Sequence, residues 1–157
     1  HNPKMINVFV FSEEKAWSNK IRYKQSFFDK ICKSFPKKYQ FINKKVSLTL
    51  LLSNNDNIKK LNKHFRNKNT STDILSFPFN KKIKILKKTY LGDIIISYNY
   101  INKPRSQKFK SFQEKLIKIF IHGFLHLLGF NHIKDVDYKK MLKEEELIYQ
   151  SVIAKLN

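Results

Sequence analysis

The sequence of 157 residues predicts an α+β fold in a single domain, with one small mixed β-sheet of about four strands and helices packed against it. Apolar runs of strand length recur along the chain, and between them lie longer segments whose apolar residues return at helical spacing. The chain is 41% hydrophobic and contains 22 aromatic residues (1 Trp, 7 Tyr and 14 Phe), which is enough to fill one core. No internal repeat or linker interrupts it, so we expect one domain over residues 5–157.

The chain begins with a strand and a helix. Residues 6–11, INVFVF, predict the first strand. Apolar residues then recur at helical spacing and predict a helix that ends before Pro36; they are Trp17, Ile21, Phe28, Ile31, Cys32 and Phe35. The single cysteine in this series cannot form an internal disulfide, and we expect it to be a buried packing residue and not a nucleophile.

A second strand and helix follow. Residues 46–52 form a largely apolar run of strand length. Asn54 then opens an Asn/Asp-rich segment that is typical of a helix N-cap. The apolar residues of the helix that it begins are Ile58, Leu61 and Phe65. This helix should present Arg66 near its end.

Two further strands complete the predicted sheet. Residues 74–79 indicate an edge strand, because Pro78 cannot donate a hydrogen bond to a neighbouring strand. Residues 91–97 indicate a buried strand. The lysine-rich residues 80–88 between them predict a solvated loop or hairpin tip.

The last third of the chain predicts two helices. Ser111 and Glu114 have the spacing of a capping box, which would begin the first of them. Apolar residues cover so much of the circumference over residues 116–128 that this helix should be largely buried. Residues 136–155 predict a final helix with its own apolar face.

The charge of the chain favours a polyanionic partner. Lysine and arginine number 32 against 12 acidic residues, which gives a formal net charge of +20 at pH 7. Such a charge favours association with nucleic acid. Richness in Lys, Asn, Ile and Phe is also what an A/T-biased genome produces, so part of the lysine excess has a second explanation. Arginine is rare in this background, and the three arginines are Arg22, Arg66 and Arg105.

The sequence also bears on location. No stretch approaches the roughly 18 uninterrupted apolar residues of a membrane span, and the N-terminus lacks the basic-then-apolar profile of a secretory signal. We therefore expect a cytoplasmic protein with no membrane partner. Residues 1–4 precede Met5, so we expect Met5 to be the natural start and residues 1–4 to be a cloning remnant.

Three histidines near the C-terminal end have the spacing of a metal site. His122 and His126 would share one face of a helix, whereas His132 would point elsewhere if that helix continued. Gly129 can end the helix in a left-handed conformation, so that the chain turns His132 back towards the other two. The alternative, three hydrogen-bonded histidines on a half-buried helix, explains neither the triplet nor the glycine.

Three neutral imidazoles would make this a catalytic type of metal site. Three protein ligands leave one position of a tetrahedral zinc open for water or substrate. Zinc peptidases of the His-Glu-x-x-His type place their general base after the first histidine, where this chain has Gly123. Neutral ligands keep the full charge of the metal, which suits an anionic phosphodiester. We therefore predict a zincin-like metal helix in the core of the fold. We also predict that the substrate is a nucleic acid.

Several motifs resemble those of one family. His122-Gly-Phe-Leu-His-Leu-Leu-Gly-Phe-Asn-His132 is similar to the H-G-x-L-H-L-x-G-(Y/F)-D-H motif of the YbeY family, bacterial metal-dependent endoribonucleases that act in ribosomal RNA maturation. Asn62-Lys-His-Phe-Arg66 and Ser71-Thr-Asp-Ile-Leu-Ser-Phe-Pro78 resemble its N-x-x-x-R and (P)-T-D-V-L-S-F-P block. Leu91-Gly-Asp93-Ile resembles its L-G-D-(I/L) strand, and Met141 and Glu145 fall on its M-x-x-x-E.

The resemblance implies roles for particular residues. His122, His126 and His132 would bind one metal ion, zinc or another divalent metal, and Arg66 and His122 would be the catalytic residues. A guanidinium suits this role because it can make bidentate hydrogen bonds to phosphate and stabilise charge in the transition state. The implied substrate is a ribosomal RNA precursor, cut in single-stranded regions, with the ribosome or ribosomal proteins as further partners. The attacking group stays open between a water and a ribose hydroxyl.

Other interpretations stay open at this point. A metal-stabilised RNA-binding or ribosome-assembly factor without catalytic activity fits the same motifs, and a metal-dependent peptidase fits them less well. Asn131 replaces the family's aspartate, which either holds the turn or tunes a ligand. Ser71 replaces a usual proline. Asp73 and Asp93 are candidates either for orienting a ligand histidine or for capping a turn, and the second is favoured for Asp93.

Overall fold

The computed structural model of the protein describes residues 6–156, so the cloning remnant expected at residues 1–4 lies outside the described residues. Four strands form one sheet, and they are β1 (Ile6–Ser12), β2 (Lys45–Ser53), β3 (Ile74–Pro78) and β4 (Lys88–Ser97). Their order is β1-β2-β4-β3. The first two pairs are parallel, and β3 pairs antiparallel with β4 at one edge. The predicted α+β class and small mixed sheet are confirmed.

Helices occupy the β1–β2 and β2–β3 connections and most of the C-terminal third of the chain. They are α1 (Lys24–Lys33), α2 (Asn55–Arg66), α3 (Tyr98–Ile101), α4 (Phe109–Leu127) and α5 (Asp135–Leu156), with 3₁₀ turns at Lys15–Asn19 and Lys37–Tyr39. The sequence does not predict α3, which is a single turn. Among the described residues, no helix is both long enough and apolar enough to cross a bilayer.

The predicted first helix is interrupted in the structure. Trp17 lies in a 3₁₀ turn and Ile21 in the link to α1, while Phe35 follows the end of α1. The indole Nε1 of Trp17 donates a hydrogen bond of 2.9 Å to the carbonyl of Ser53 at the end of β2, which anchors this turn to the sheet. All six predicted apolar residues are nevertheless buried. Helical spacing therefore identifies core residues here but not a continuous helix.

The start of α4 also differs from the prediction. The helix begins at Phe109, so Ser111 lies inside its first turn and is not an N-cap. Glu114 accepts a hydrogen bond of 3.2 Å from the hydroxyl of Tyr149 on α5. The predicted capping box is therefore wrong, because its glutamate joins α4 to α5.

Helices cover the two faces of the sheet unequally. The large core joins one face to α1, α4 and α5, and a small cluster joins α2 to the other face. Aromatic rings of α4 are central to the large core, since Phe120 packs on Phe28 at 5.1 Å and Phe124 on Phe35 at 4.9 Å between ring centroids. The prediction of a largely buried helix is thus confirmed. Burial raises the pKa of the Cys32 thiol, and the charge of Asp29 adds to this, as expected for a packing residue.

Candidate metal centre

The histidine segment leaves α4 at a tight helix end. Gly129, two residues beyond the last residue of α4, has a φ of +98°. Its N–H donates to the carbonyl of His126 at 3.0 Å, and the N–H of Phe130 donates to the carbonyl of Leu125 at 3.0 Å. This pair of bonds is a Schellman motif, which reverses the chain and satisfies the last carbonyls of the helix. The predicted helix stop at Gly129 is confirmed.

Three imidazole rings meet beyond this reversal. His122 and His126 share one face of α4, and their Nε2 atoms lie 3.0 Å apart. The centroid of the His132 ring lies 5.6 Å from that of His122 and 5.2 Å from that of His126. One nitrogen from each of the three rings lies within 4.8 Å of the others. The structure therefore brings together the trio that the sequence singles out.

Acceptors hold two of the rings from behind. Oε1 of Glu145 on α5 lies 2.9 Å from Nδ1 of His122. The carbonyl of Phe130 lies 2.9 Å from Nδ1 of His126. A proton on each Nδ1 satisfies both acceptors and leaves each Nε2 with a free lone pair directed at the cluster. This is the tautomer in which a histidine binds a metal through Nε2.

The electrostatic environment keeps the middle ring neutral. Burial lowers the pKa of His126, and the neighbouring His122 lowers it further, against the opposing effect of the hydrogen bond to Phe130. A neutral imidazole is the form that binds a metal. At neutral pH the ring is therefore ready to act as a ligand.

The donor set fits a divalent transition metal. Metal–nitrogen bonds of about 2.0–2.1 Å in a tetrahedron put neighbouring nitrogens about 3.3 Å apart, close to the Nε2 separation at the centre of the cluster. Neutral imidazoles suit zinc, copper, iron and nickel, whereas magnesium and calcium prefer oxygen ligands. His122, His126 and His132 can therefore hold one such ion, with His132 on the exposed side.

Arg66 reaches the same cavity from α2. It is the last residue of that helix, which ends where Asn67 adopts a left-handed φ of +54°. Its guanidinium donates to the carbonyl of Ser76 on β3 at 3.0 Å and lies 5.3 Å from the ring centroid of Phe77. These contacts aim an exposed arginine along the edge strand.

The arginine and the three histidines line one cleft of about 400 Å³. Its polar lining includes Arg66, Asp73, Ser76, His122, His126 and His132. We term it the histidine cleft. Its cationic and imidazole groups face a shared space that one phosphodiester and its neighbouring sugars could occupy.

Comparison with known proteins decides the family. The sequence model of the family described as Endoribonuclease YbeY matches residues 11–153. The chain belongs to the YbeY family. It is 59% identical to the Endoribonuclease YbeY of Pelagibacter ubique, over 97% of this chain and 99% of that protein. It is 43% identical to the Endoribonuclease YbeY of Aliarcobacter butzleri, over 64% of this chain and 70% of that protein.

A solved structure supports the fold. The solution structure of a protein from Thermotoga maritima aligns with 95% of this chain and 91% of its own chain, with a TM-score of 0.56 and 24% identity. At this identity the likeness concerns the fold alone. The YbeY resemblance that the sequence motifs carry is confirmed by the family match.

Close packing explains the glycine within this YbeY chain's histidine motif. A Cβ atom at Gly123 would lie 2.7 Å from Cδ1 of Ile74, 3.2 Å from Cγ2 of Ile94 and 3.2 Å from Oγ of Ser76. The edge strand thus occupies the space in which a zinc peptidase carries its glutamate base. The geometry opposes the peptidase interpretation, because even a Cβ atom at this position is in close contact with β3 and β4 and a glutamate would have to displace their side chains.

The carboxylate that contacts His122 belongs to neither of the two aspartates that the sequence proposed for orienting a ligand histidine. Asp93 lies within β4 and accepts a hydrogen bond from Tyr90, so it neither caps a turn nor contacts a histidine. Asp73 accepts from the hydroxyl of Thr72 at 3.1 Å and lines the histidine cleft. Glu145 is the residue beside His122. The sequence feature that could have identified Glu145 as a site residue is its match to the M-x-x-x-E pattern of the YbeY family.

The two departures from the YbeY pattern are accommodated locally. Oδ1 of Asn131 accepts a hydrogen bond of 3.3 Å from the N–H of Ile133, so the asparagine holds the turn before His132. The carbonyl of Ser71 accepts a bond of 3.4 Å from the hydroxyl of Tyr100 on α3. The buried amide of Asn62 on α2 donates to the carbonyl of Thr70 in the same loop at 3.0 Å. The loop after Arg66 is therefore tied at two points.

Proposed function

We propose that this protein is a metal-dependent endoribonuclease that cuts single-stranded RNA during ribosomal RNA processing. One observation carries the proposal: Arg66 and the three histidines come from separate parts of the chain and line the same cleft. Membership of the endoribonuclease family supports RNA as the substrate. The net charge of +20 supports a polyanion in that place.

Each proposed site residue has a defined task. His122, His126 and His132 would hold one metal ion, with zinc as the proposed metal because three protein ligands and a fourth position open to water are the usual form of a catalytic zinc site. When bound, a metal of this kind supplies a Lewis acid that polarises a phosphodiester oxygen. His122 counts among the catalytic residues because it would touch that metal, and the carboxylate of Glu145 fixes its ring.

Arg66 would bind the scissile phosphate. Its guanidinium is always charged and presents several N–H groups in a rigid fork, which matches two phosphate oxygens at once. The bond to Ser76 uses one end of that fork and holds the remaining donors at the cleft. In the transition state, where negative charge on the phosphate grows, a preorganised cation of this kind lowers the barrier.

The cellular setting is part of the same proposal. We place the activity in the cytoplasm, on a ribosomal RNA precursor, with the ribosome or ribosomal proteins as further partners. The support is the family resemblance, together with the surplus of surface lysine that would collect an RNA strand before it reaches the cleft.

Cleavage of an unstructured RNA by purified variants tests the proposal. We expect Arg66→Ala and His126→Ala each to reduce the cleavage rate at least about 100-fold, because each removes a preorganised charge or a ligand. Arg22→Ala removes the same charge from another exposed arginine and should retain activity. Metal analysis of the wild-type protein should give one transition-metal ion per chain. Unchanged cleavage in both site variants would overturn the proposal.

The same measurements separate a non-catalytic assembly factor from an enzyme. In that alternative, chelation lowers the free energy of unfolding, while the metal-loaded and the chelated protein both leave RNA intact. In the proposed function, chelation abolishes cleavage, and added zinc restores it.

A further inference from the structure

The second face of the sheet is only partly covered by α2. The helix packs through Ile58 and Leu61 against Leu75 and Ile95, on the β3–β4 side. Strand register places two rows of side chains across this face. The first row is Phe9, Thr49, Asp93 and Phe77, and the second is Phe11, Leu51, Ile95 and Leu75. The β1 end of both rows is therefore left to solvent.

These rows and the end of α2 enclose a cavity of about 520 Å³. It is termed the aromatic groove, and the residues that define it are Phe11, Thr49, Leu51, Phe65, Phe77 and Asp93. Phe11 is 60% exposed and Phe65 is 62% exposed. The Phe65 ring meets Phe77 edge-on, with 5.6 Å between centroids. The groove thus offers exposed aromatic rings on two of its walls, held in place by a rigid sheet.

The aromatic groove adjoins the histidine cleft across one strand. Side chains of β3 alternate, so that Ser76 faces the cleft and its neighbour Phe77 faces the groove. Arg66 spans the two, because its guanidinium bonds to the Ser76 carbonyl and lies over the Phe77 ring. A strand of RNA held at Arg66 therefore needs to cross only the width of an edge strand, about 5 Å, to place a base in the groove.

Two of the three segments next to the groove carry positive charge only. The third, which follows Phe11, contains Glu13 and Glu14, whose carboxylates accept hydrogen bonds from the Ser53 hydroxyl and from the N–H of Ala16 and the amide of Asn54, respectively. Residues 57–68, which include Phe65, contain five lysines and arginines and no acidic residue. Residues 79–90, which follow β3, contain five lysines and no acidic residue. Within the groove, the carboxylate of Asp93 accepts a hydrogen bond from the hydroxyl of Tyr90. An apolar, aromatic floor between two cationic flanks matches single-stranded nucleic acid, whose bases are flat and apolar on their faces and whose backbone is anionic.

We propose that the aromatic groove is a binding site for unpaired nucleobases of single-stranded RNA, one or two nucleotides away from the phosphate held at Arg66. The inference rests on the proposed function, because it assumes that the strand in the histidine cleft is RNA. Phe65 and Phe11 stack against bases, Phe77 supports Phe65 from below, and the flanking lysines bind the backbone. The groove gives the enzyme its preference for unpaired strands, since a base within a duplex cannot reach an aromatic face.

Binding to a fluorescein-labelled 2′-O-methyl oligoadenylate, checked for intactness by gel, tests the groove apart from cleavage. We expect Phe11→Ala/Phe65→Ala to weaken binding about tenfold or more. The slope of log Kd against log salt concentration should stay that of the wild type, because no phosphate contact is removed. Phe109→Ala removes a half-exposed phenylalanine at the far end of α4 and should bind as the wild type does.

A fluorescent variant reports the stacking directly. Trp17 is the single tryptophan and is fully buried, so Phe65→Trp adds the one exposed indole. We expect the oligoadenylate to quench this indole strongly and an abasic oligomer with the same phosphates to quench it little.

Two results would overturn the groove while leaving the proposed function intact. The first is that the wild type cleaves RNA while the wild type and the double variant bind the oligoadenylate with equal affinity. The second is that the oligoadenylate and the abasic oligomer quench the indole equally. A wild type that neither binds nor cuts RNA would instead overturn the proposed function. If Phe65→Ala lowers the affinity for the oligoadenylate and Phe65→Tyr does not, the result supports the groove, because tyrosine keeps the aromatic face that stacks on a base.

Discussion

Glu145 on α5 contacts His122 on α4, with Oε1 of the carboxylate 2.9 Å from Nδ1 of the imidazole. Both side chains are less than a third exposed. The contact sets which ring nitrogen carries the proton, and it joins the C-terminal helix to the cluster of histidines. Glu145, on the last helix, therefore determines the tautomer and the ring orientation of His122, the first histidine of the motif.

Removal of this contact should weaken metal binding. We expect Glu145→Ala to lower zinc affinity about 10- to 100-fold, because the ring of His122 loses its orientation and its preferred tautomer. Glu145→Gln keeps an acceptor oxygen and should fall between the alanine variant and the wild type. Competition with a chromophoric chelator measures the affinity. Glu146→Ala, at the exposed neighbouring position, is the matched control, and equal affinities for the wild type and Glu145→Ala would contradict the prediction.

The asparagine at position 131 should behave as a turn residue. Its Oδ1 accepts the N–H of Ile133, and an aspartate oxygen could accept the same bond. We therefore expect Asn131→Asp to change zinc affinity by less than about threefold, and Asn131→Ala to reduce it more, because the turn before His132 loosens. Isothermal titration calorimetry compares the three proteins. A large gain in affinity from the aspartate would show instead that the charge at this position tunes a ligand.

The space at Gly123 predicts a sharp difference between two substitutions. An alanine methyl would press on Cδ1 of Ile74, the movable end of a side chain, and alanine gains about 1 kcal/mol of helix propensity over glycine. We expect Gly123→Ala to change the free energy of unfolding by less than about 1 kcal/mol. Gly123→Glu should lower it by more than about 3 kcal/mol, because an unpaired carboxylate would enter a packed interface.

Urea unfolding followed by circular dichroism measures both variants. Lys110→Glu places the same side chain at an exposed site in the first turn of α4 and should be nearly neutral. A stable, folded Gly123→Glu protein would show that the interface between α4 and β3 has room that the distances exclude.

A buried glutamate should make stability depend on pH. Glu144 accepts hydrogen bonds from Lys38 at 2.6 Å and from the hydroxyl of Tyr39. These bonds lower the pKa of its carboxyl below the ordinary value of 4.5, with that from Lys38 first and that from Tyr39 second. Because the folded pKa is lowered, the stabilisation is present above pH 4.5 and is lost as the pH falls through the folded pKa.

We therefore expect Glu144→Gln to lower the free energy of unfolding by about 1 kcal/mol at pH 7, since the ion pair includes an exposed lysine that solvent screens. The difference from the wild type should shrink as the pH drops below 4.5. Urea unfolding at several pH values measures this, with Glu146→Gln as the exposed control. A difference that stays constant down to the acid transition would exclude the carboxylate as its source.

Local chemistry explains which parts of the fold the sequence predicts. The Schellman motif depends on one glycine at the right offset from an apolar helix, so Gly129 and the returning histidine can be read directly from the sequence. Asn54 is likewise an N-cap, and its side chain accepts from the N–H of Asn57. The edge position of β3 follows from Pro78, which lacks a donor.

Contacts between distant elements explain where the prediction fails. Trp17 lies in a separate 3₁₀ turn and not in α1, and its indole bonds to the end of β2, a partner that no spacing rule includes. Glu114 has the correct offset for a capping box but bonds to Tyr149, 35 positions along the chain. Glu145 lies beside His122 only because α5 docks on α4, so its contact could not be derived from periodicity.

The helix that presents two of the histidines is also the centre of the hydrophobic core. Phe120 and Phe124 alternate along α4 with His122 and His126. The two phenylalanine rings pack on Phe28 and Phe35, respectively. We expect a loss of volume among these rings to disturb the same helix that sets the spacing of the imidazoles. A mutational survey scored by growth alone would therefore give core and ligand substitutions the same phenotype, and metal titration of the soluble variants would be needed to separate them.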